Sequence, residues 1–348
     1  QVRFLEKIAG YYKTTALIFL NVCLFILVLN LILFLFYSVG DSFNKKSSVE
    51  EKYGLELLKV VYPDLDGTEI SDLLNETWCR SFLYETFTQF KEKPATGKYV
   101  NIDENGFREG KNQSSWPPDS HKFNIFVFGG STTFGYGVPD DQTVVSYLQE
   151  ALRNQLGKDI CVYNFGRGFY YSTQERVLFE KFILSGIVPD MALFIDGLNE
   201  FYNHTNTPIF TNPIERFMRK PRIQQMVLDK LPMTRALRDL KSSVRGYFRS
   251  PVPVQPLFQD KFDNREIIDR VLNTYSENKK MIEAVASAYP VKTIFVWQPI
   301  PTYKYELKYH LFAGESFGPH VYSRYGYRLF DRINDENPVG ENFFWCAD

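Results

Sequence analysis

The stretch that decides the fold is residues 123–135, which read FNIFVFGGSTTFG. Its first part, 124–128, is a short apolar run bounded by polar residues, and such a run predicts a buried β-strand. Two glycines and then Ser131 follow the run. Glycine allows the backbone to turn tightly and to approach a ligand closely. The sequence therefore predicts that the Ser131 hydroxyl is exposed on a turn at the carboxyl end of a strand.

Short apolar runs alternate with longer amphipathic segments after this strand. Further strands are predicted at 160–163, 191–195 and 293–297, and helices at 143–156, 173–185 and 267–289. Strands that alternate with helices imply a parallel sheet with helices on both faces. The predicted fold class is therefore α/β, and ligands of such sheets bind beyond the carboxyl ends of the strands.

Each of the first three predicted strands ends in a cluster of small or polar residues. The second cluster is 164–169, NFGRGF, and the third is 196–200, DGLNE. The Gly-Gly-Ser turn alone is a weak signal, because it lacks the lysine of a P-loop, the dinucleotide fingerprint and the G-x-S-x-G elbow. In this order, however, the three clusters resemble blocks I, II and III of the SGNH/GDSL hydrolase superfamily.

The resemblance implies a three-layer, flavodoxin-like sheet domain in which Ser131 is the nucleophile. It also implies that a block II glycine and Asn199 form the oxyanion hole. We assign the block II donor to Gly168. Counting along the cluster puts the expected glycine at Phe169, so Phe169 and Gly166 remain alternatives.

Two further features bear on the resemblance. Glu200 stands where block III usually has aspartate, and a structural hydrogen bond is its expected role. Residues 97–108 resemble the segment that precedes block I in membrane-anchored members linked to cell-surface glycans. The resemblance therefore implies acyl-ester chemistry, either hydrolysis or O-acyl transfer, on a glycan or a lipid.

The general base that the superfamily supplies, a histidine three positions after an aspartate, is not found in the chain. The four histidines are His121, His204, His310 and His320, and only His204 follows a predicted strand closely enough to reach the site. Either the Asp-x-x-His lies beyond residue 348, or the domain is a degenerate hydrolase that serves as an accessory subunit of a membrane complex.

An uncharged, overwhelmingly apolar run extends over residues 14–40, long enough for a helix that crosses a membrane. A signal peptide has a shorter apolar core and a small-residue cleavage site, which this run lacks. Three cations precede the run, which favours a cytoplasmic N-terminus and an exported main domain. Asn21 and Asn30, its polar residues, are expected to bond to a partner helix.

The rest of the chain divides by composition. Residues 1–40 are the predicted anchor, 41–120 a lead-in that is helical over 48–92 and irregular over 94–120, and 121–348 the α/β domain. An insertion covers about 203–262. Between Glu215 and Arg249 it holds ten basic and three acidic residues, which fits either a solvated helical face or a surface facing lipid headgroups or an anionic glycan.

The bulk composition excludes several function classes. Among 348 residues, 40 are Lys or Arg and 41 are Asp or Glu, so no global charge favours nucleic acid. The four cysteines have neither metal-ligand spacing nor a CxxC pair. We therefore expect no metal and no cofactor, and the expected partners are an acylated glycan or lipid substrate, membrane lipid and a membrane protein.

Overall fold

The computed structural model describes residues 2–43, 46–157, 159–219, 230–247, 264–306 and 322–348. The chain forms two units. One comprises residues 1–45 and 213–254, and the other comprises residues 46–212 and 255–348. The segment between 213 and 254 therefore groups with the N-terminal helix and not with the sheet domain.

The helices, in chain order, are α1 (Val2–Phe43), α2 (Ser48–Tyr53), α3 (Leu55–Val61), α4 (Gly67–Trp78), α5 (Ser131–Phe134), α6 (Val144–Leu156), α7 (Ser172–Leu184), α8 (Leu198–Tyr202), α9 (Thr211–Arg219), α10 (Pro232–Tyr247), α11 (Arg265–Ala288) and α12 (Tyr322–Glu336). The strands are β1 (Phe82–Glu85), β2 (Gln89–Glu92), β3 (Phe123–Gly129), β4 (Ile160–Asn164), β5 (Met191–Asp196), β6 (Lys292–Trp297) and β7 (Phe343–Trp345).

The central sheet has five strands in the order β4-β3-β5-β6-β7, and every pair is parallel. This is the flavodoxin-like order, in which the chain starts inside the sheet, adds one edge and then builds toward the other. The predicted three-layer α/β fold class is confirmed. The short strand β7 consists of three aromatic residues, and it pairs with β6 as the fifth strand.

Both faces of the sheet are apolar, as a doubly covered parallel sheet requires. Branched aliphatic side chains pack between one face and α6. On the other face an aromatic row crosses three strands: Phe128 and Phe194 stack at 5.0 Å between ring centroids, and Phe194 and Phe295 at 5.2 Å. The covering helices α7 and α11 pack on this side. The two apolar layers hold the strand ends, and therefore the site, in a fixed register.

The lead-in differs from its prediction. Helices do cover most of 48–78, but the expectation of helix up to residue 92 is wrong, because β1 and β2 form an antiparallel hairpin there. Its turn holds Phe87 and Gln89 at φ values of 70° and 72°. Further along, the N–H of Arg108 donates to the carbonyl of Asn164 at 2.9 Å. The lead-in thus meets the sheet edge at the carboxyl end of β4.

The first unit contains the apolar segment. Within α1, Ala9–Ser38 is a 30-residue stretch that is long and apolar enough to cross a membrane. Asn30 bonds within its own helix and also accepts the N–H of Met233, in α10, at 3.1 Å. The partner of this asparagine is therefore another helix of the same chain. Residues 220–229 and 248–262 of the predicted insertion lie outside the described residues.

Candidate active site

Ser131 is the first residue of the short helix α5, directly after the Gly-Gly pair that ends β3. The turn is tight: the N–H of Gly135 returns to the Ser131 carbonyl at 2.9 Å. The Ser131 side chain is half-buried. A Cβ atom on Gly130 would overlap the side-chain nitrogen of Asn199. Glycine is therefore required here so that the Asn199 amide can lie against the residue that precedes Ser131.

Asn199 reaches this position from the third cluster. Gly197 caps the start of α8 at φ 138°, a conformation that side-chain-bearing residues rarely adopt. The Asn199 Nδ2 atom donates to the carbonyl of Tyr170 at 2.7 Å, which fixes the orientation of the amide. An amide nitrogen carries two hydrogens, so one donor remains for a ligand. The structure thus brings the tips of β3 and β5 together around Ser131.

The second cluster offers three candidate main-chain donors, and two are engaged. The N–H of Gly166 donates to the Asn164 side chain at 3.0 Å, and that of Gly168 donates to Glu92 Oε1 at 3.1 Å. In the described part of the chain the N–H of Phe169 has no acceptor. Phe169 also has a φ of 65° and a ring that is 38% exposed. The predicted donor Gly168 is therefore tied to the lead-in, whereas the Phe169 N–H is open.

Glu92 is a buried residue that the sequence did not single out. Its Oε1 atom accepts the Gly168 N–H and also the hydroxyl of Tyr136 at 3.3 Å, while Oε2 pairs with Arg80 at 3.2 Å. Gly168 and Tyr136 belong to the second cluster and to the segment after Ser131. One carboxylate from the hairpin therefore links both loops of the site.

Arg108, also from the lead-in, holds the segment that follows Ser131. Its guanidinium is fully buried and pairs with Asp140 at 2.8 Å. The other nitrogens donate to the carbonyls of Phe134, Gly135 and Val138 at 2.6–2.9 Å. Arginine suits this role, because a planar fork of five donors can satisfy several carbonyls at once.

Arg167 performs the equivalent task for the second cluster. It is completely buried, and its Nη1 atom donates to Glu85 at 2.5 Å and to the hydroxyl of Tyr170 at 2.8 Å. Both Arg167 and Lys181 hold the pKa of Glu85 below its usual value against the opposing effect of burial. The hairpin thereby fixes the loop that carries Phe169 and the carbonyl that orients Asn199.

The structure describes two of the four histidines. His204 lies just after α8, its ring is 5.0 Å from that of Tyr322, and its Nδ1 atom is buried without a hydrogen-bond partner among the described residues. His121 is exposed and precedes β3. Neither ring forms an ion pair with a carboxylate in the described part of the chain. His310 and His320 lie outside the described residues.

Three buried carboxyl groups belong to α7, β5 and α8, and they are Glu175, Asp196 and Glu200. Burial raises the pKa of all three, and that of Glu200 reaches about 7. Glu200 accepts the N–H of Ser172 at 2.7 Å and its hydroxyl at 2.8 Å. This fits the structural role expected from the sequence, because Ser172 begins the helix directly after Tyr170 and Tyr171. The described residues contain no cluster with the arrangement of a metal site.

The Glu200 carboxyl predicts a pH-dependent stability. Its folded pKa of about 7 exceeds the ordinary value of about 4.3, so the folded state binds the proton more tightly. The free energy of unfolding should therefore fall by on the order of 3 kcal/mol as pH rises from about 4 to 7. Urea unfolding at pH 5 and pH 8 measures this, and Glu200→Gln, which cannot ionise, should make the dependence less steep, while the contributions of Glu175 and Asp196 remain. An unchanged slope in that variant would contradict the assignment.

A polar groove of about 570 Å³ lies next to the second cluster. Every side chain that lines it is polar or charged, and they come from α7, α11 and the segment after α8. Asn206, at one end, accepts hydrogen bonds from the hydroxyls of Tyr171 at 3.0 Å and Thr173 at 2.9 Å. Tyr171, two residues after Phe169 in the chain, therefore links the loop of the second cluster to a residue that lines the groove.

Comparisons with known proteins give likenesses of fold. No family model and no curated protein matches the chain. Similar solved structures include a lipolytic protein of the G-D-S-L family from Desulfitobacterium hafniense DCB-2, at 12% identity and a TM-score of 0.31, covering 64% of this chain and 76% of that one. The lipase Lip_vut3 from a goat rumen metagenome is 9% identical at a TM-score of 0.36, and the alignment covers 64% of this chain and 80% of that one.

A third similar structure is a catalytic mutant of Axe2, an acetylxylan esterase from Geobacillus stearothermophilus. Its identity is 13% and its TM-score 0.29, and the alignment covers 64% of this chain and 74% of that one. The function of this chain therefore has to follow from the geometry of its own site.

Proposed function

We propose that the protein is a membrane-anchored serine acyl-ester hydrolase or O-acyltransferase that acts on a glycan through an acyl-enzyme at Ser131. The observation that carries the proposal is that the Asn199 amide, with one hydrogen to spare, lies against Gly130, the residue before the half-buried Ser131. Its acceptor, the Tyr170 carbonyl, directly follows Phe169, whose N–H is open. Together they supply a nucleophile and two donors from three neighbouring loops, which is what acyl transfer requires.

In the proposed reaction, the Ser131 oxygen attacks the ester carbonyl carbon and the carbonyl electron pair moves onto oxygen. The oxyanion accepts hydrogen bonds from the Asn199 side-chain amide and from the main-chain N–H groups of Phe169 and Ser131. Phe169 takes the place of Gly168, whose N–H donates to Glu92. Collapse of this intermediate breaks the bond between the carbonyl carbon and the alcohol oxygen, and the alcohol leaves with the proton that the Ser131 hydroxyl gives up. Water then attacks the acyl-enzyme to release the acid, or an acceptor hydroxyl attacks it to form a new ester.

The polar groove supports a glycan as the alcohol part of the ester. Apolar and aromatic side chains line pockets that bury acyl chains, whereas this groove offers hydroxyl, amide, guanidinium and carboxylate groups. Such groups match the closely spaced hydroxyls of a sugar. We propose that an ester held at Ser131 extends its sugar residues past Tyr171 toward Asn206 and into the groove.

The apolar segment of α1 supports a retained membrane anchor. We propose that the N-terminus is cytoplasmic and that the sheet domain lies on the exported side, where surface glycans occur. The basis is the charge bias of the flanks, three cations and one glutamate before the segment against two lysines and one aspartate after it. Membrane lipid is then a direct partner, and Asn21 remains available for a second membrane protein.

Asn199→Ala tests the oxyanion hole. The variant should lower kcat for p-nitrophenyl acetate and for an O-acetylated oligosaccharide by about 10²–10³-fold, because one donor to the oxyanion is lost. The value of KM should change little, since the oxyanion forms only after binding. Steady-state kinetics of the full-length protein measure both constants. A change of less than threefold in kcat would exclude Asn199 from the oxyanion hole.

The second candidate function is a catalytically inactive accessory subunit of a membrane complex. Its support is that neither described histidine ring pairs with a carboxylate in the residues that the structure describes. The two functions differ in a simple observable. Ester cleavage by the purified full-length protein that disappears in a Ser131 variant favours the enzyme, and its absence with a stable membrane partner favours the subunit.

A further inference from the structure

The helix α10 lies against the second half of the apolar segment of α1. Besides the bond from Met233 to Asn30, the hydroxyl of Tyr37 donates to Asp239 at 3.1 Å. The guanidinium carbon of Arg235 lies 4.0 Å from the centroid of the Tyr37 ring. These contacts are specific in register, because Asn30 and Tyr37 lie two helical turns apart on α1. A helix from the middle of the chain is therefore bound to the proposed membrane anchor.

The two long faces of α10 differ in character. Arg235 and Asp239, four residues apart, face α1. Leu237 and Leu240 lie roughly opposite, given about 100° of rotation per residue, and they are 57% and 62% exposed. Met233 lies one turn before Leu237 on the same side. The apolar side of α10 thus points away from the helix to which α10 is bound.

Water is an unfavourable surrounding for this face. Full burial of a leucine side chain lowers the free energy by about 1.5–3 kcal/mol relative to exposure to water. Both leucines lack most of this stabilisation when water surrounds them. Single exposed leucines are common on proteins, but these two lie beside a segment whose own surface is apolar on all sides and exposed along its length. Lipid that surrounds α1 would cover Leu237 and Leu240 as well.

Charge identifies the kind of lipid. Lys241 and Arg238 lie on the flank of α10 between its apolar face and its α1 face, and both are exposed. They belong to the segment with ten basic and three acidic residues. Each cation near an anionic leaflet contributes about 1 kcal/mol to binding. Leucines on one side of a helix with cations beside them are the pattern of a helix that contacts acyl chains and anionic headgroups together.

We propose that α10 is a lipid-contacting helix that lies along α1 in the leaflet at the C-terminal end of α1, with Leu237 and Leu240 facing acyl chains and the cation Lys241, beyond the level of Tyr37, facing anionic headgroups. The inference rests on the proposed membrane anchor. It adds a second membrane contact, made by the segment inserted between β5 and β6, and it gives the basic insertion a role that is separate from catalysis.

The test uses the full-length protein in nanodiscs, with Cys23→Ala, Cys79→Ser and Cys346→Ser, and an environment-sensitive fluorophore attached to Leu237→Cys. Emission should shift to the blue, and lipid carrying a nitroxide high on the acyl chain should quench it. Quenching should be stronger with phosphatidylglycerol in the bilayer than with phosphatidylcholine alone. A label at Glu150, exposed on α6, is the control that should stay unquenched.

A label at Phe25, in the middle of α1, separates the two possible failures. If that label is quenched and the label at 237 shows water-like emission without quenching, the anchor stands and the lipid contact of α10 is excluded. If neither label is quenched, the anchor itself fails and the inference falls with it. Equal quenching at 237 in neutral and anionic bilayers would overturn the role of the cations.

Discussion

Alanine in place of Ser131 is expected to lower kcat for ester cleavage by at least about 10³-fold. No other hydroxyl in the cluster can take over, because the attacking oxygen has to follow Gly130, against which the Asn199 amide and the Tyr170 carbonyl lie. The oxyanion donors remain in the variant, so a small residual rate above the uncatalysed reaction is expected. Steady-state cleavage of p-nitrophenyl acetate by the full-length protein measures the loss.

Thr132 provides the matched control for this prediction. It is the next residue of α5 and its side chain is exposed, so Thr132→Ala removes a neighbouring hydroxyl of the same turn. That variant should keep the rate of the wild type within about twofold, since surface substitutions are usually near neutral. Loss of activity in both variants would mean that the turn is fragile, and full activity in Ser131→Ala would exclude the nucleophile.

Arg108→Met is expected to cost about 3–5 kcal/mol in the free energy of unfolding. Methionine retains much of the apolar stem but leaves Asp140 without its buried partner. It also leaves the carbonyls of Phe134, Gly135 and Val138 without the donors they have now. Each buried acceptor left unpaired costs about 1–3 kcal/mol unless water reaches it. Urea unfolding, followed by near-ultraviolet circular dichroism, gives the difference.

The control for Arg108 is a charged residue of the same lead-in that is exposed. Lys111 pairs with Glu150 at 3.2 Å, and both side chains are about half exposed. Such surface pairs contribute about 0–1 kcal/mol, so Lys111→Met should change stability little. If Arg108→Met were no more destabilising than Lys111→Met, the hydrogen bonds from Arg108 would not stabilise the segment that follows Ser131.

The sheet domain could be predicted from the sequence because its signals are local and mutually consistent. Parallel strands that are buried on both faces require continuous apolar runs, and 124–128 and 191–195 are such runs. The glycines at 129–130 and at 197 mark places where a chain must turn or let another group approach. Parallel topology then forces the strand tips, with Ser131 and Asn199, toward one edge.

The hairpin of the lead-in could not be predicted in the same way. Residues 82–92 contain apolar residues at spacings that suit a helix or a strand, and such short runs are ambiguous. Tertiary contacts decide between the two, since β2 supplies Glu92 to the second cluster and β1 supplies Glu85 to Arg167. The turn places Phe87 and Gln89 at φ near 70°, a conformation that usually requires glycine, so the sequence carries no signal for it.

The buried charged residues of the site could not be predicted from the sequence either. Glu92, Arg108 and Arg167 look like ordinary surface residues until their partners are known, because pairing is what makes burial of a charge tolerable. The choice among Gly166, Gly168 and Phe169 likewise depends on which N–H groups are already bonded. Residue spacing restricts that choice to a short loop, and only the hydrogen bonds distinguish its members.

The central claim is that Ser131 is a nucleophile activated on this turn, and covalent labelling tests it most directly. The full-length protein is treated with a fluorophosphonate, which forms a covalent bond to activated serines, and the labelled peptide is identified by mass spectrometry. We predict a single phosphonylated residue, Ser131, and no labelling of Ser131→Ala. Equal labelling of both proteins, or a label on another serine of the wild type, would contradict the account.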